Sequence, residues 1–263
     1  MLSALSPHAC VFQPSLPATE PPPSRSTGLN PSAMPFKPPE IIVPAVFSDD
    51  GTASEEERRL HARIRQLPPL PPPVIMRGLL SESQMAEVKA YAEQMPFGGL
   101  GSVYYGNGHE ANFLHYGFSM PPDNVWRTFP QAHPATWKAL LSEVRRRAHE
   151  AGLCALPEEL NVRCIEYHSY EAGGGLTDVG HTDQGSVFTF SVQMSEPGGA
   201  ERGGRFSTTD HSHRTTEHEL QRGDGILFCS DLVHNVSTLQ SGTRHSLVAE
   251  LWKGATNTRD RFG

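Results

Sequence analysis

Residues 223–252 read GDGILFCSDLVHNVSTLQSGTRHSLVAELW. Two runs within this stretch, Gly225–Phe228 (GILF) and Arg244–Trp252 (RHSLVAELW), are short, apolar and β-rich, and Gly, Ser and Asp residues flank them, the pattern of buried strands. A histidine, His234, follows the first run, and an arginine, Arg244, opens the second ten residues later. Polar groups at the edges of apolar strands call for partners elsewhere in the chain.

Working upstream, three more strand candidates alternate with Gly-bearing turns: VRCIEY (Val162–Tyr167), SVFTFSVQM (Ser186–Met194) and GRFST (Gly204–Thr208). Ahead of them the period changes from two to about 3.6. SESQMAEVKAYAEQM (Ser81–Met95) repeats Met85, Val88, Tyr91 and Ala92 on one face and stops at Pro96. PATWKALLSEVRRRAHEAG (Pro134–Gly152) carries Trp137, Leu140, Leu141, Val144 and Ala148 on one stripe and ends in a glycine. Thr52–Leu67 reads as a further helix, with Ser54 and Glu57 in capping-box spacing. Helices followed by strands predict an α+β arrangement in which helices buttress a β-sandwich or barrel.

Between the first two strand candidates lies GHTDQGSV (residues 180–187), with His181 and Asp183 two apart. A chain with 13 His and this many Asp should hold about 0.4 such pairs by chance, so the pair alone proves nothing. With His234 it gains a third member. Two histidines and a carboxylate cover one face of a metal and leave the other face open, the ligand set of non-haem Fe(II) oxygenases; four ligands would instead suit a closed structural zinc site. Arg244 then has a distinct use. A 2-oxo acid chelating the metal projects a far carboxylate that needs a charge-assisted partner, and Ser246, on the same side of an extended strand, can add a second hydrogen bond.

On these residues the chain resembles the 2-oxoglutarate and Fe(II)-dependent oxygenase superfamily, and within it the prolyl 4-hydroxylase-like branch. The shared pattern runs from RCIEYHSYEAGGGLTDVGHTD through GGRF and GDGILF to HNVSTLQSGTRHSLVAELW, and VIMRGLLSESQMAEVKAYA is similar to the helix that precedes such domains. The resemblance implies a double-stranded β-helix, a jelly-roll barrel buttressed by N-terminal helices, with iron inside its open end. It implies hydroxylation of a C–H bond coupled to conversion of 2-oxoglutarate and O₂ to succinate and CO₂, with ascorbate as reductant. By the same resemblance His181, Asp183 and His234 match the iron ligands and Arg244 the basic residue for the co-substrate carboxylate. Tyr170 or Tyr167 matches a pocket tyrosine; the Gly173–Gly175 run leaves the choice open, with Tyr170 preferred. Arg205 in GGRF stands where the branch often has an acidic or small residue and is a candidate to face substrate.

The substrate is open: a prolyl or other protein residue, or a free small molecule. An AlkB-like nucleic-acid demethylase would show Asn-x-Tyr before the first ligand and a second Arg six residues after the first, whereas here His168-Ser169 precede Tyr170 and Glu250 stands at the second place. A net charge of −7 and dispersed Lys and Arg likewise argue against nucleic acid as partner. A non-catalytic metal- or 2-oxoglutarate-binding module that meets a partner through a proline-rich tail is the alternative from another class.

Sixteen of the 23 prolines fall in the first 73 positions. The expected organisation is a disordered Pro-rich tail over 1–50, a helix and Pro-rich linker over 51–73, a helical support region over 74–160 and the barrel over 161–255. The Gly- and Tyr-rich segment Phe97–Asn124 is the expected substrate lid. The cysteines Cys10, Cys154, Cys164 and Cys229 form no C-x-x-C pair and are expected to be reduced thiols. No run is long enough to span a bilayer and no basic-then-apolar start is present, so the expectation is cytoplasm or nucleus, with an organelle transit peptide as alternative. His211, His213 and His218 are expected in an exposed loop, and His115, His168 and His245 in structural roles.

Overall fold

A computed structural model of the chain describes residues 55, 69–94, 102–120, 123–152, 160–178, 180–196 and 202–258. The tail over 1–50, the helix expected at Thr52–Leu67 apart from residue 55, Cys10 and Cys154 lie outside the described residues.

Strands dominate, and every pairing among them is antiparallel. In chain order they are β1 (Val74–Met76), β2 (Ser102–Gly106), β3 (His109–Phe113), β4 (Phe118–Met120), β5 (Val125–Arg127), β6 (Asn161–Tyr170), β7 (Phe188–Gln193), β8 (Phe206–Thr209), β9 (Thr215–Glu217), β10 (Gly225–Cys229), β11 (Val233–Val236) and β12 (Arg244–Trp252). A seven-stranded sheet runs β1-β10-β7-β12-β6-β3-β2, a three-stranded sheet runs β11-β8-β9, and β4 and β5 form a separate hairpin. An isolated bridge, Leu176 to Val236, ties β11 to the segment leaving β6. Two antiparallel sheets with few helices are consistent with a jelly-roll barrel.

The helices are α1 (Glu82–Glu93), the short α2 (Phe129–Ala132) and α3 (Pro134–Glu150). Ser81 caps α1 in a reciprocal capping box with Gln84, and α3 starts on a proline, which lacks the N–H that the first turn would leave unused. Met85, Val88 and Tyr91 of α1 and Leu140, Val144 and Ala148 of α3 cover the outer face of the large sheet. That face is built by parity. Ile165 and Tyr167 of β6, Phe188, Phe190 and Val192 of β7, and Leu247, Ala249 and Leu251 of β12 join the helical core. Burying each large side chain there contributes about 1.5–3 kcal/mol.

The intervening residues of the same strands point the other way, into the barrel. From β6 come Glu166, His168 and Tyr170, from β7 Thr189 and Ser191, and from β12 Arg244, Ser246 and Glu250. A second apolar cluster, Phe206, Ile226, Phe228 and Val236 among others, closes the barrel between the sheets. Within the segment expected to form a lid, β2 and β3 extend the large sheet through a two-residue turn at Asn107-Gly108, both with positive φ as such a connection requires.

The run Gly173–Gly175 threads between two backbones. A Cβ at Gly174 would lie 2.5 Å from the Gly108 carbonyl oxygen and one at Gly175 2.9 Å from that of Val236. Gly174→Ala is therefore expected to destabilise the protein by about 1–3 kcal/mol through backbone displacement. A calorimetric or denaturant-midpoint measurement checks this, and an unchanged midpoint would mean that the loop has room to move.

Candidate active site

His181 and Asp183 lie on the connection from β6 to β7, and His234 on β11. Backbone hydrogen bonds draw the two segments together: His234 N–H donates to the His181 carbonyl at 3.1 Å, and Asp183 N–H to the Ser230 carbonyl at 2.9 Å. The Asn235 amide anchors the approach by donating to the Leu176 and Asp178 carbonyls. As a result one ligand atom from each of His181, Asp183 and His234 falls within 4.8 Å of the others. The Nε2 atoms of His181 and His234 sit 3.3 and 3.5 Å from the two Asp183 carboxylate oxygens.

The surroundings prepare these atoms to ligate. His234 Nδ1–H donates to the Leu232 carbonyl at 3.0 Å, which fixes the tautomer that leaves Nε2 as a lone pair. Burial holds the His234 ring below its ordinary range. Burial pushes the Asp183 carboxyl up, but the His234 charge, the hydrogen bonds from His181 and Thr189 and the His181 charge outweigh it and hold the group below the usual carboxylate range. Thr189 Oγ1 donates to Asp183 Oδ2 at 2.6 Å, orienting the carboxylate. Two imidazoles and a carboxylate make an N₂O donor set, and that chemistry fits Fe(II) with open positions.

The three residues line a cavity of about 290 Å³, and Arg244, Ser246 and Tyr170 line the same cavity. Arg244 is only 1% exposed. Its Nη1 donates to Ser246 Oγ at 3.2 Å, and its guanidinium lies 5.4 Å from the Tyr170 ring centroid. Burial pushes the Tyr170 hydroxyl up to about 12, so it stays a phenol and a donor. A buried guanidinium beside a hydroxyl and a phenol is the chemistry of a carboxylate receptor, which fits a 2-oxo dicarboxylate.

Tyr167 lies elsewhere. It sits on the opposite face of β6, stacked on His245 at 5.4 Å within the helical core, because Arg244 pairs with Tyr170 and strand parity turns residue 167 outward. Arg205 lines a separate surface depression, with its guanidinium 3.9 Å from Glu217, rather than the cavity of the ligands. His115 accepts from the Ile165 N–H in the interior, and His245 meets Ser169 on the outer face. His211 is exposed at the tip of the β8–β9 hairpin, whereas His218 is half-buried and shares a 2.8 Å hydrogen bond with Thr208.

Sequence reading missed Glu250 and the pair Glu166 and His168, all on the cavity wall. Burial raises the Glu250 carboxyl, while Arg163 at 3.0 Å and Ser186 at 2.6 Å hold it in place. The available signal was the alternation in VRCIEYHSY, which puts residues 166, 168 and 170 on one side.

His218 supplies a pH test. Burial lowers its pKa from 6.5 to about 4, so the unfolded chain takes up the proton more readily than the fold does. The stability it contributes is fully present above pH 6.5 and is lost as pH falls toward 4. Urea midpoints should therefore fall less between pH 7 and pH 4.5 in His218→Gln than in the wild type; parallel curves would remove His218 from the account.

No protein-family model matches the sequence, and a search of curated proteins found no match. Solved structures do match. One described as an oxidoreductase of the 2OG-Fe(II) oxygenase family from Burkholderia pseudomallei shares 14% identity over 78% of this chain and 94% of its own, at a TM-score of 0.51. The non-heme alpha ketoglutarate dependent epimerase SnoN from nogalamycin biosynthesis shares 17% over 78% and 97%, at 0.49. A Pseudomonas putida prolyl-4-hydroxylase shares 12% over 74% and 100%, at 0.43. The chain thus has the fold seen in a 2OG-Fe(II) oxygenase.

Proposed function

We propose that the protein is an Fe(II)- and 2-oxoglutarate-dependent dioxygenase that hydroxylates a C–H bond. The observation that carries this reading is the convergence of three ligand atoms within 4.8 Å on the wall of a cavity that also holds the buried Arg244. His181, Asp183 and His234 would hold the iron, and Arg244, Ser246 and Tyr170 the far carboxylate of 2-oxoglutarate. Bound iron, with O₂ and 2-oxoglutarate, supplies oxidation of a substrate C–H bond, coupled to formation of succinate and CO₂.

The chain's own residues supply the rest. Thr189 and the Leu232 carbonyl keep the ligands aimed, and the Phe206 and Phe228 rings beside His234, at 5.9 and 4.7 Å, shield that side of the cavity from water. At about 290 Å³ the cavity stands at the lower bound of ordinary ligand sites, room for the co-substrate with one side chain or a small molecule. A prolyl or other protein side chain and a free small molecule both satisfy that size. A flipped nucleobase is disfavoured by the net charge of −7 and by Glu166 and Glu250 on the cavity wall.

The test is succinate release from 2-oxoglutarate with Fe(II), ascorbate and O₂, comparing no added substrate, proline-containing peptides, free amino acids and methylated single-stranded DNA. Stimulation by peptides or amino acids, lost in Arg244→Ala, is the expected result. Iron binding with no succinate under any condition would overturn the reading in favour of a binding module.

A further inference from the structure

The cavity contains a hydrogen-bonded chain that neither the ligand set nor the Arg244 wall uses. Cross-strand register assembles it. His109 of β3 lies opposite Tyr170, which lies opposite Arg244, and the neighbouring row holds Ala111, His168 and Ser246. The diagonal between the rows brings His109 Nε2 to 2.8 Å from His168 Nδ1, and His168 Nε2 lies 2.9 Å from Glu166 Oε2. His109, His168 and Glu166 are 4%, 8% and 2% exposed, and all three line the cavity.

Above this chain runs a stack of rings. Tyr105, 46% exposed, lies on His109 at 4.7 Å, and His109 lies on Tyr170 at 4.2 Å, with Arg244 beyond. His109 therefore stands between the solvent side of the cavity and its carboxylate-binding wall.

The protons can be placed. The Glu166 carboxylate accepts from His168 Nε2–H at a charge-assisted length, and the 2.8 Å contact to His109 is satisfied when His168 Nδ1 carries the lone pair. That lone pair accepts from His109 Nε2–H. Burial lowers His109 from 6.5 to about 3 and keeps the ring neutral. Its remaining nitrogen, Nδ1, is then an acceptor. Among the described residues that atom has no hydrogen-bond partner, on a ring that lines the cavity.

The geometry points to His109 as a specificity-determining residue: its Nδ1 accepts a hydrogen bond from an N–H or O–H group of the substrate, and His168 and Glu166 lock the ring in that accepting tautomer. The substrate class is a small polar molecule or side chain with an amide, hydroxyl or ammonium donor. The word substrate rests on the oxygenase reading above; the tautomer and the preference for a donor do not. An N-methylated counterpart leaves a buried acceptor unmet and should bind roughly tenfold more weakly or worse.

The experiment uses the metal-free full chain with ¹⁵N-labelled histidine, read by long-range ¹H–¹⁵N NMR. His109 is expected as the Nε2–H tautomer. Titrated 2-pyrrolidinone should shift its Nδ1 signal at concentrations roughly tenfold below those needed for N-methyl-2-pyrrolidinone. His109→Phe keeps a stacking ring and should abolish the difference, and Glu166→Gln should reduce it, with 2-oxoglutarate binding retained in both once metal is added. A His109 Nδ1–H tautomer, or equal response to the two probes including none, overturns the inference even if a variant fails to fold. Failure of the oxygenase reading would appear separately, as absent metal binding or succinate release.

Discussion

Asp183→Asn should remove Fe(II) binding and succinate formation together while leaving the fold intact. The amide keeps the size of the carboxylate and can still accept from Thr189, so the 2.6 Å hydrogen bond and local packing persist. What disappears is the negative charge between two imidazole nitrogens at 3.3 and 3.5 Å. Changing a residue that merely orients a ligand typically costs about 10–100-fold in metal affinity, so losing the anionic ligand should exceed about 100-fold. Anaerobic titration with Fe(II), or with Mn(II) as a slower-oxidising probe, measures this directly. Unchanged affinity would show that the three residues do not bind metal.

The second large effect is expected at Arg244. Arg244→Met should raise the apparent KM for 2-oxoglutarate by roughly 30–150-fold, the equivalent of about 2–3 kcal/mol for a charged hydrogen-bonded contact, with metal affinity unaltered. Arg244→Lys keeps the charge but not the planar fork and should fall between. Stability should move little or rise, since a side chain only 1% exposed exchanges a buried cation for an apolar chain of similar length. A large loss of stability with an unaltered KM would instead make Arg244 a structural residue.

These two sites were legible in the sequence because Arg244 opens a strand with a clear β pattern and the ligands lie between or just after such strands. The expected runs Gly225–Phe228 and Arg244–Trp252 match β10 and β12 within one residue, and Ser186–Met194 brackets β7. Metal-ligand chemistry also restricts residue type, so His181, Asp183 and His234 could be picked out before any contact was known. Tyr167 and Tyr170 could not be separated that way. Their difference is one of parity, fixed only when Tyr170 pairs with Arg244. His109 and His168 were harder still, since they meet across a register between strands 59 positions apart. The β2–β3 hairpin had a local signal, Asn107-Gly108, which was overridden by the Gly- and Tyr-rich composition of its surroundings.

The alternation along β6 separates two evolutionary problems within one strand. Ile165 and Tyr167 answer to the helices, and Glu166, His168 and Tyr170 answer to whatever enters the barrel. Because the two sets share a backbone but face different environments, a library randomised at 166 and 168 alone can search for new chemistry without repacking the layer that keeps the protein folded.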